Sequence, residues 1–244
     1  VDGPALVAEA RQPEAAAAAR AAVAHLLRQL GKPAAAEATS TSSFDDIRQR
    51  AEAALLSDEL EQARQILQTA PAEIRDAPAL RLRLAQVDFR SGRMTDARAM
   101  LDRLLAEVGA EDQPVLRAMV LTLSSSVMIH LGDAAAADRD CNEAITLLAG
   151  RDEPGTLGRA HTACGIAEAV AGRFDEAMSD FARARVALEI TGDALSLALV
   201  EANEGLMEST RGRYAEGLAA MRRSEERFRR LGVRNEMMMA VDDQ

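Results

Sequence analysis

Glycine, small and apolar positions recur along this chain at an interval of 40 residues. Four glycines set the interval, and subtracting the numbers of neighbouring ones gives 40 each time: Gly92, Gly132, Gly172 and Gly212. Five residues after each glycine stands a small residue: Ala97, Ala137, Ala177 and Gly217. Nine residues after it stands an apolar one: Leu101, Cys141, Phe181 and Met221. Self-similarity at about 20 to 50 residues is typical of repeat architectures, so the pattern predicts an array of similar units.

Each unit is predicted to be a pair of antiparallel helices. The glycine supplies the backbone conformation of a tight turn at the end of the first helix, and the second helix begins two or three residues later. The small column marks the point where the two helices cross, and the apolar columns fill the space between successive pairs. Pro114 and Pro154, again 40 residues apart, suit the first turn of a helix. No unit can bury its apolar face alone, so stability is expected from stacking.

The repeating region is predicted to span residues 44–244. A weaker copy fits residues 58–70, ahead of the regular ones. Residues 1–31 form a predicted N-terminal helical segment, and the Ser-, Thr- and Pro-containing residues 32–43 a linker. Residues 230–243 echo residues 190–203, so we expect the array to be truncated in the first helix of a further repeat.

Composition favours an all-helical protein of the cytoplasm. Alanine, leucine, arginine and glutamate are strong helix formers, and only 2% of the residues are aromatic. A net charge of −10 argues against direct nucleic-acid binding, which needs cations to neutralise phosphates. No apolar run is long enough to span a membrane, and no signal pattern opens the sequence. Lys32 is the only lysine, and this arginine bias suggests a bacterial source.

Candidate chemistry is sparse, and we predict no enzyme, no cofactor and no metal site. The chain has no phosphate-binding loop, HExxH or CxxC motif. Its three histidines, His25, His130 and His161, are interpreted as structural or surface residues rather than ligands. Cys141 and Cys164 fall on packing positions, so we expect buried, inert thiols and a reducing compartment. Five arginines interleaved with glutamates are expected to form a salt-bridged helix surface rather than an anion site: Arg222, Arg223, Arg227, Arg229 and Arg230.

The repeats resemble the tetratricopeptide repeat. That family has small, aromatic and alanine positions at fixed places, which this chain fills with Gly165, Phe174, Ala177, Phe181 and Ala184. The resemblance covers roughly residues 44–244 and implies an all-α fold, a right-handed α-α superhelix (solenoid) of stacked antiparallel helix hairpins. The 40-residue period further resembles the longer repeats in MalT-like bacterial transcription activators and related signalling regulators.

The resemblance also implies a binding surface. In tetratricopeptide proteins the first helix of each repeat lines a concave groove, and carrying its positions over gives these candidates: Gln86, Phe89, Arg90, Thr122, Ser126, Ile129, His130, Thr162, Ile166, Val170, Leu206, Ser209 and Thr210. Such a mixed groove suits an extended peptide or an amphipathic helix. The alternative for its apolar members is that they pack against the neighbouring repeat.

Two functions follow from the resemblance. The first is a protein-interaction and sensing module of a larger bacterial signalling or transcription regulator, which binds a protein or peptide segment in its concave groove. The alternative is a small-molecule effector domain of a MalT-like activator, in which the ligand shifts a conformational equilibrium.

Overall fold

The computed structural model describes residues 44–231, and these residues form eleven α helices and no strand. The helices are α1 (Phe44–Leu56), α2 (Leu60–Gln68), α3 (Ala72–Arg75), α4 (Pro78–Arg90), α5 (Met94–Glu107), α6 (Pro114–His130), α7 (Ala134–Leu148), α8 (Pro154–Val170), α9 (Phe174–Thr191), α10 (Ala194–Thr210) and α11 (Tyr214–Arg230). The segments predicted for residues 1–31 and 32–43, and the partial repeat at the C-terminal end, lie outside the described residues.

The described residues belong to two compact units, 44–92 and 93–231. In the first unit, α1 and α2 form a hairpin against which α4 packs, and the core includes Ala51, Leu55, Ala63, Leu67 and Leu80. Helix α2 confirms the weaker copy expected around residues 58–70. The short helix α3 was not predicted.

A buried ion pair and an arginine clamp hold α4 in the first unit. The Arg64 guanidinium of α2 donates to the carboxylate of Asp88 at 2.6 Å. Arg90 donates to the Leu55 carbonyl at 2.7 Å and to Asp58 at 2.8 Å. Asp58 has a positive φ of 57°, so Arg90 fixes the strained turn between α1 and α2.

The second unit contains three successive hairpins, α6 with α7, α8 with α9, and α10 with α11. We call α6, α8 and α10 the A helices, and α5, α7, α9 and α11 the B helices. Each hairpin turns at a glycine of the 40-residue pattern with a positive φ: 80° at Gly132, 77° at Gly172 and 78° at Gly212. Since L side chains rarely adopt this conformation, the glycines are needed there. Pro114 and Pro154 open α6 and α8, as the spacing predicts.

Small residues bring the two helices of a hairpin into close contact, as predicted. Gly217 of α11 faces Gly205 of α10, and a Cβ atom on Gly217 would lie 2.8 Å from the Gly205 carbonyl oxygen. In the preceding hairpin Ala177 is fully buried. A Cβ atom on Gly165 would lie only 2.6 Å from the ring of Phe181, which is too close for the two atoms. The crossing therefore tolerates only hydrogen or a methyl group.

The hairpins stack in two layers. Helix α8 contacts both α6 and α10, so the A helices form one layer. Each inner B helix packs between two A helices: α7 between α6 and α8, and α9 between α8 and α10. Phe181, Ala184 and Leu188 of α9 pack against Leu197 and Val200 of α10, which is the stacking between repeats that the apolar columns predict.

The expectation of two free thiols is wrong. Cys141 of α7 and Cys164 of α8 form a disulfide, with their Cα atoms 5.3 Å apart, and both residues are fully buried. The prediction that both cysteines occupy packing positions is correct. The error arises because α7 and α8 belong to successive hairpins and place the two cysteines face to face. The disulfide also removes the argument for a reducing compartment, because disulfides are rare in the cytosol.

Ion pairs join the last two hairpins. Glu201 and Glu204 of α10 are buried, and Glu204 pairs with Arg185 of α9. Arg227 of α11 donates to Glu201 at 2.8 Å. Arg223 lies 3.6 Å from Glu201 and 3.9 Å from Glu204, measured between guanidinium nitrogen and carboxylate oxygen.

The interpretation of the arginine cluster as a salt-bridged helix surface holds for two of its five members. Arg229 and Arg230 pair with the interleaved Glu226. Arg223 and Arg227 instead reach α10. The cluster therefore serves partly to join α11 to the buried glutamates of the neighbouring helix.

Truncating Phe181 should destabilise the second unit. Phe181→Ala removes the ring that fills the space over Gly165, and we expect a loss of about 3 to 5 kcal/mol in the free energy of unfolding. Chemical denaturation followed by circular dichroism measures the loss. Val186→Ala on the exposed side of the same helix is the control and should change stability by less than about 0.5 kcal/mol. A loss below about 1 kcal/mol for Phe181→Ala would contradict the packing assignment.

The disulfide should stabilise the protein. It closes a loop between residues 23 positions apart, so reduction should lower the free energy of unfolding by about 3 kcal/mol. Denaturation with and without a phosphine reductant tests this, with the Cys141→Ser, Cys164→Ser double variant as the control that reductant must not affect. Two reactive thiols in the unfolded, unreduced protein would show that the bond does not form.

Candidate functional site

The A helices present one common face to their surroundings. On α8 eight of the 17 residues are buried, whereas Thr162, Ile166 and Val170 follow one another along a less buried stripe at helical spacing. The equivalent stripes of α6 and α10 stand beside it, because residues 40 apart occupy equivalent positions. We call this the A-helix face. It consists of Thr122, Ser126, Ile129, His130, Thr162, Ile166, Val170, Leu199, Ala202, Leu206, Ser209 and Thr210.

Three aliphatic side chains of the A-helix face are exposed. The exposed fraction is 58% for Val170 on α8, and 42% and 44% for Leu199 and Leu206 on α10. Val170 and Leu206 were predicted as groove residues, and Leu199 was missed. The sequence does indicate Leu199, because it stands seven residues, or two helical turns, before Leu206 and therefore on the same side of α10.

Two other apolar members of the A-helix face serve packing. Ile166 lies against the cluster formed by Phe181, Leu188 and Leu197. Ile129 lies against a second cluster of buried side chains around Met128 and Ala137. Both side chains are only partly exposed, so they pack between repeats, which is the alternative stated for the apolar candidates. Val170, Leu199 and Leu206 remain as the apolar side chains that a ligand could contact.

The hydroxyl groups of the A-helix face all donate to their own helices. Each Ser or Thr hydroxyl donates to the carbonyl four residues earlier: Thr122 at 2.8 Å, Ser126 at 3.4 Å, Thr162 at 2.9 Å, Ser209 at 2.8 Å and Thr210 at 2.9 Å. A hydroxyl has one proton to donate and two lone pairs. With the proton engaged, four of these groups offer acceptor sites to a ligand, whereas the Ser209 hydroxyl lies against Gly217 of α11. The Nδ1 of His130 likewise donates to the Ser126 carbonyl at 2.9 Å.

The candidates Gln86, Phe89 and Arg90 lie on α4, in the unit formed by residues 44–92. Gln86 accepts a hydrogen bond from Arg83 at 3.1 Å. Arg90 holds the turn between α1 and α2, and Phe89 is half-buried. The Arg90 side chain therefore has a structural role in its own unit, and the A-helix face is defined by the candidates of α6, α8 and α10.

The carboxyl group of Glu168 lies in the last turn of α8. Burial is the main cause that raises the pKa of Glu168 to about 7, and the charges of Asp180, Asp138 and Glu176 raise it further. Arg173 opposes this shift, but its guanidinium also donates to Asp138 at 2.5 Å. The Glu168 Oε2 atom is buried and has no hydrogen-bond partner among the described residues.

Two aspartates at equivalent positions of the B helices accept hydrogen bonds from the A helices. Ser124 donates to Asp140 at 2.6 Å, and burial raises the pKa of Asp140. His161 lies 3.2 Å from Asp180, which also accepts from Arg183 at 2.9 Å. His161 is therefore a buried structural histidine, as interpreted from the sequence. His25 lies outside the described residues.

Residues 44–231 contain no cluster of three His, Cys, Asp or Glu side chains with the arrangement of a metal site. Within the same range, no helix combines the length and apolarity that crossing a bilayer would demand.

Comparison with known proteins identifies the repeats. Residues 54–119 match the family profile of the tetratricopeptide repeat. The crystal structure of BtubC (BKLC) from P. vanneervenii is 15% identical, with 90% of this chain and 92% of that one covered and a TM-score of 0.59. No curated protein is significantly similar to this chain in sequence.

Two further solved structures share less of the geometry. MamA is 13% identical, with 74% of this chain and 95% of that one covered and a TM-score of 0.47. YrrB, described as a TPR protein with an unusual peptide-binding site, is 17% identical, with 76% and 87% covered and a TM-score of 0.43. The likeness to BtubC, together with the helices above, confirms the predicted fold class, an all-α solenoid of stacked antiparallel helix hairpins.

The stability of the second unit should depend on the ionisation of Glu168. Its pKa in the folded state is about 7 against an ordinary 4.5, so this group favours folding when protonated, and the contribution is lost as the pH rises from 4.5 through 7. Glu168→Gln stays neutral and should gain about 1 kcal/mol of stability over the parent on going from pH 5 to pH 8, after a discount for solvent screening. Denaturation midpoints at both pH values measure it. Glu189→Gln, on the exposed side of α9, is the control. An equal difference at both pH values would argue against a raised pKa.

Proposed function

We propose that this chain is a protein-interaction module that binds a peptide or protein segment on the A-helix face, because it has an all-α fold of stacked helix hairpins and its residues 54–119 match the tetratricopeptide repeat. We further propose that it is the sensing part of a larger bacterial signalling or transcription regulator. The proposed function is binding rather than catalysis, because binding a partner requires only a surface that is complementary to it.

The observation that supports this function best is the exposure of Val170, Leu199 and Leu206 on neighbouring helices. Apolar side chains are also exposed on the B helices, among them Val186 and Ile190 of α9 and Met221 of α11, but Val170, Leu199 and Leu206 stand on adjacent A helices. Leaving aliphatic side chains in water gives up about 1.5 to 3 kcal/mol for each one that could be buried fully. An adjoining set of them is typical of a surface that another molecule covers.

The regulator context rests on the 40-residue period, which resembles that of MalT-like activators. A cytoplasmic location is part of the proposal. The Cys141–Cys164 disulfide makes it worth testing directly, because a cytosolic protein would be expected to hold these sulfurs reduced. Alkylation of the protein in intact cells before lysis would distinguish the thiol from the disulfide form.

A peptide selection tests the binding function. A displayed random-peptide library is selected on the full chain, and the recovered peptides are measured against Leu206→Asp. We expect affinity to fall at least about tenfold, because the substitution places a charge at a desolvated contact. Ile190→Asp is the matched control: it changes a side chain that is 71% exposed, but on helix α9, outside the A-helix face.

Peptides that bind Leu206→Asp and the parent equally would contradict a site on the A-helix face. The small-molecule alternative is examined in the same preparation by thermal shift with a metabolite panel, because a ligand that binds only the folded state raises the melting temperature. A shift that Leu206→Asp abolishes would favour an effector domain over a peptide-binding module.

A further inference from the structure

The polar groups of the A-helix face restrict the chemistry of what can bind there. Four hydroxyls on α6, α8 and α10, those of Thr122, Ser126, Thr162 and Thr210, donate to carbonyls of their own helices, so they offer lone pairs rather than protons. Asn203, next to the face on α10, also donates one of its two amide N–H groups to its own helix, to the Leu199 carbonyl at 2.8 Å. A ligand that binds beside these groups has to supply the hydrogen-bond donors.

This restriction disfavours an extended peptide. An extended backbone carries both N–H donors and C=O acceptors, and a buried carbonyl without a donor costs free energy. The A-helix face could accept from its N–H groups but has few protons to give its carbonyls. A helical ligand satisfies its own backbone and needs only side-chain contacts.

The cations near the A-helix face are held by acidic partners. Arg159, on the same side of α8, lies 3.3 Å from Asp193 and also donates to Thr156. At the end of the face near Val170 and Thr210, Arg173 pairs with Asp138, Arg211 with Asp175, and Arg213 with Glu208. An acidic ligand would therefore have to compete with existing ion pairs.

Negative charge exceeds positive charge at that same end. Glu168 stands two residues before Val170 and carries a buried oxygen with no hydrogen-bond partner among the described residues. Asp175 and Glu176 occupy the first turn of α9, and Glu216 that of α11, directly after the turns in which the A helices end. A cation placed at this end gains most from Glu176 and Glu216, because Asp175 already pairs with Arg211 and burial raises the pKa of Glu168 to about 7.

Taken with the exposed Val170, Leu199 and Leu206, these features define one kind of ligand, and the inference rests on the function proposed above. We infer that the A-helix face binds a basic amphipathic helix, whose apolar stripe covers the three aliphatic side chains while lysines or arginines beside the stripe meet the acidic end of α8 and α10. The net charge of −10 on the whole chain would attract such a partner at long range.

Three synthetic peptides of about 18 residues test the inference. The first has a leucine stripe at helical spacing and lysine elsewhere, the second has the same stripe with glutamate, and the third is the lysine peptide with its leucines scrambled out of the stripe. Affinity for the full chain is measured by fluorescence anisotropy at physiological salt, where non-specific charge attraction is screened. We expect the first peptide to bind at least about tenfold more tightly than either of the others.

Variants of the protein locate the binding. Val170→Ser and Leu206→Ser should each weaken the lysine peptide about fivefold or more, whereas Val186→Ser and Ile190→Ser, exposed positions on α9, should leave it unchanged. Equal binding of the scrambled peptide, or no effect of Val170→Ser and Leu206→Ser, would overturn the inference, because charge alone would then explain the affinity.

The result also separates the inference from the proposed function. If the glutamate peptide binds as tightly as the lysine peptide, and Leu206→Ser weakens it, the A-helix face is a peptide site but the basic partner is wrong. If no peptide of any charge binds in a way that depends on Leu206, both the inference and the site on this face fail.

Discussion

The close crossing of the two helices within a hairpin is the constraint on which the rest of the second unit depends. At Gly205 and Gly217 the backbones approach so closely that neither residue has room for a Cβ atom. Two helices at this distance can bury only a narrow stripe between them, so most of their apolar surface has to be covered by the next hairpin. Close crossing within a hairpin and stacking between hairpins are therefore two consequences of the same small side chains.

Stacking determines which positions of successive hairpins contact each other, but it does not determine which kind of bond forms at each contact between hairpins. Cys164 and Glu204 occupy equivalent positions of successive A helices, 40 residues apart. The first is bonded to Cys141 of the preceding B helix, and the second pairs with Arg185 of the B helix that precedes it. A covalent bond and an ion pair thus start from the same A-helix position, although their partners on the B helices, Cys141 and Arg185, stand at different positions of the repeat. A buried ion pair that loses one partner is strongly destabilising, so each junction depends on both of its members.

The features that could be predicted from sequence are those that every repeat must satisfy. A turn with a positive φ requires glycine, a crossing requires a small residue, and a first helical turn accepts proline, so these residues recur at one interval and reveal the hairpins. The disulfide could not be predicted, because it depends on which positions of adjacent hairpins face each other. The exposure of Leu199 was missed for a similar reason: its surroundings are set by neighbouring helices, and periodicity alone does not separate Ile166, which packs, from Leu206, which is exposed.

The exposed part of the A-helix face is free to specialise because the fold does not use it. Each A helix contributes one side to the crossing with its own B helix and another to the preceding B helix, and only the remaining side faces outward. Hydroxyl residues on that side are satisfied by their own helix, so replacing one with an aliphatic residue leaves no buried polar group unpaired. His130, Val170 and Thr210 occupy the same position in three successive hairpins, are all exposed, and show this freedom directly. Recognition can therefore be changed residue by residue along the array, while the glycines, alanines and junction pairs keep its geometry constant.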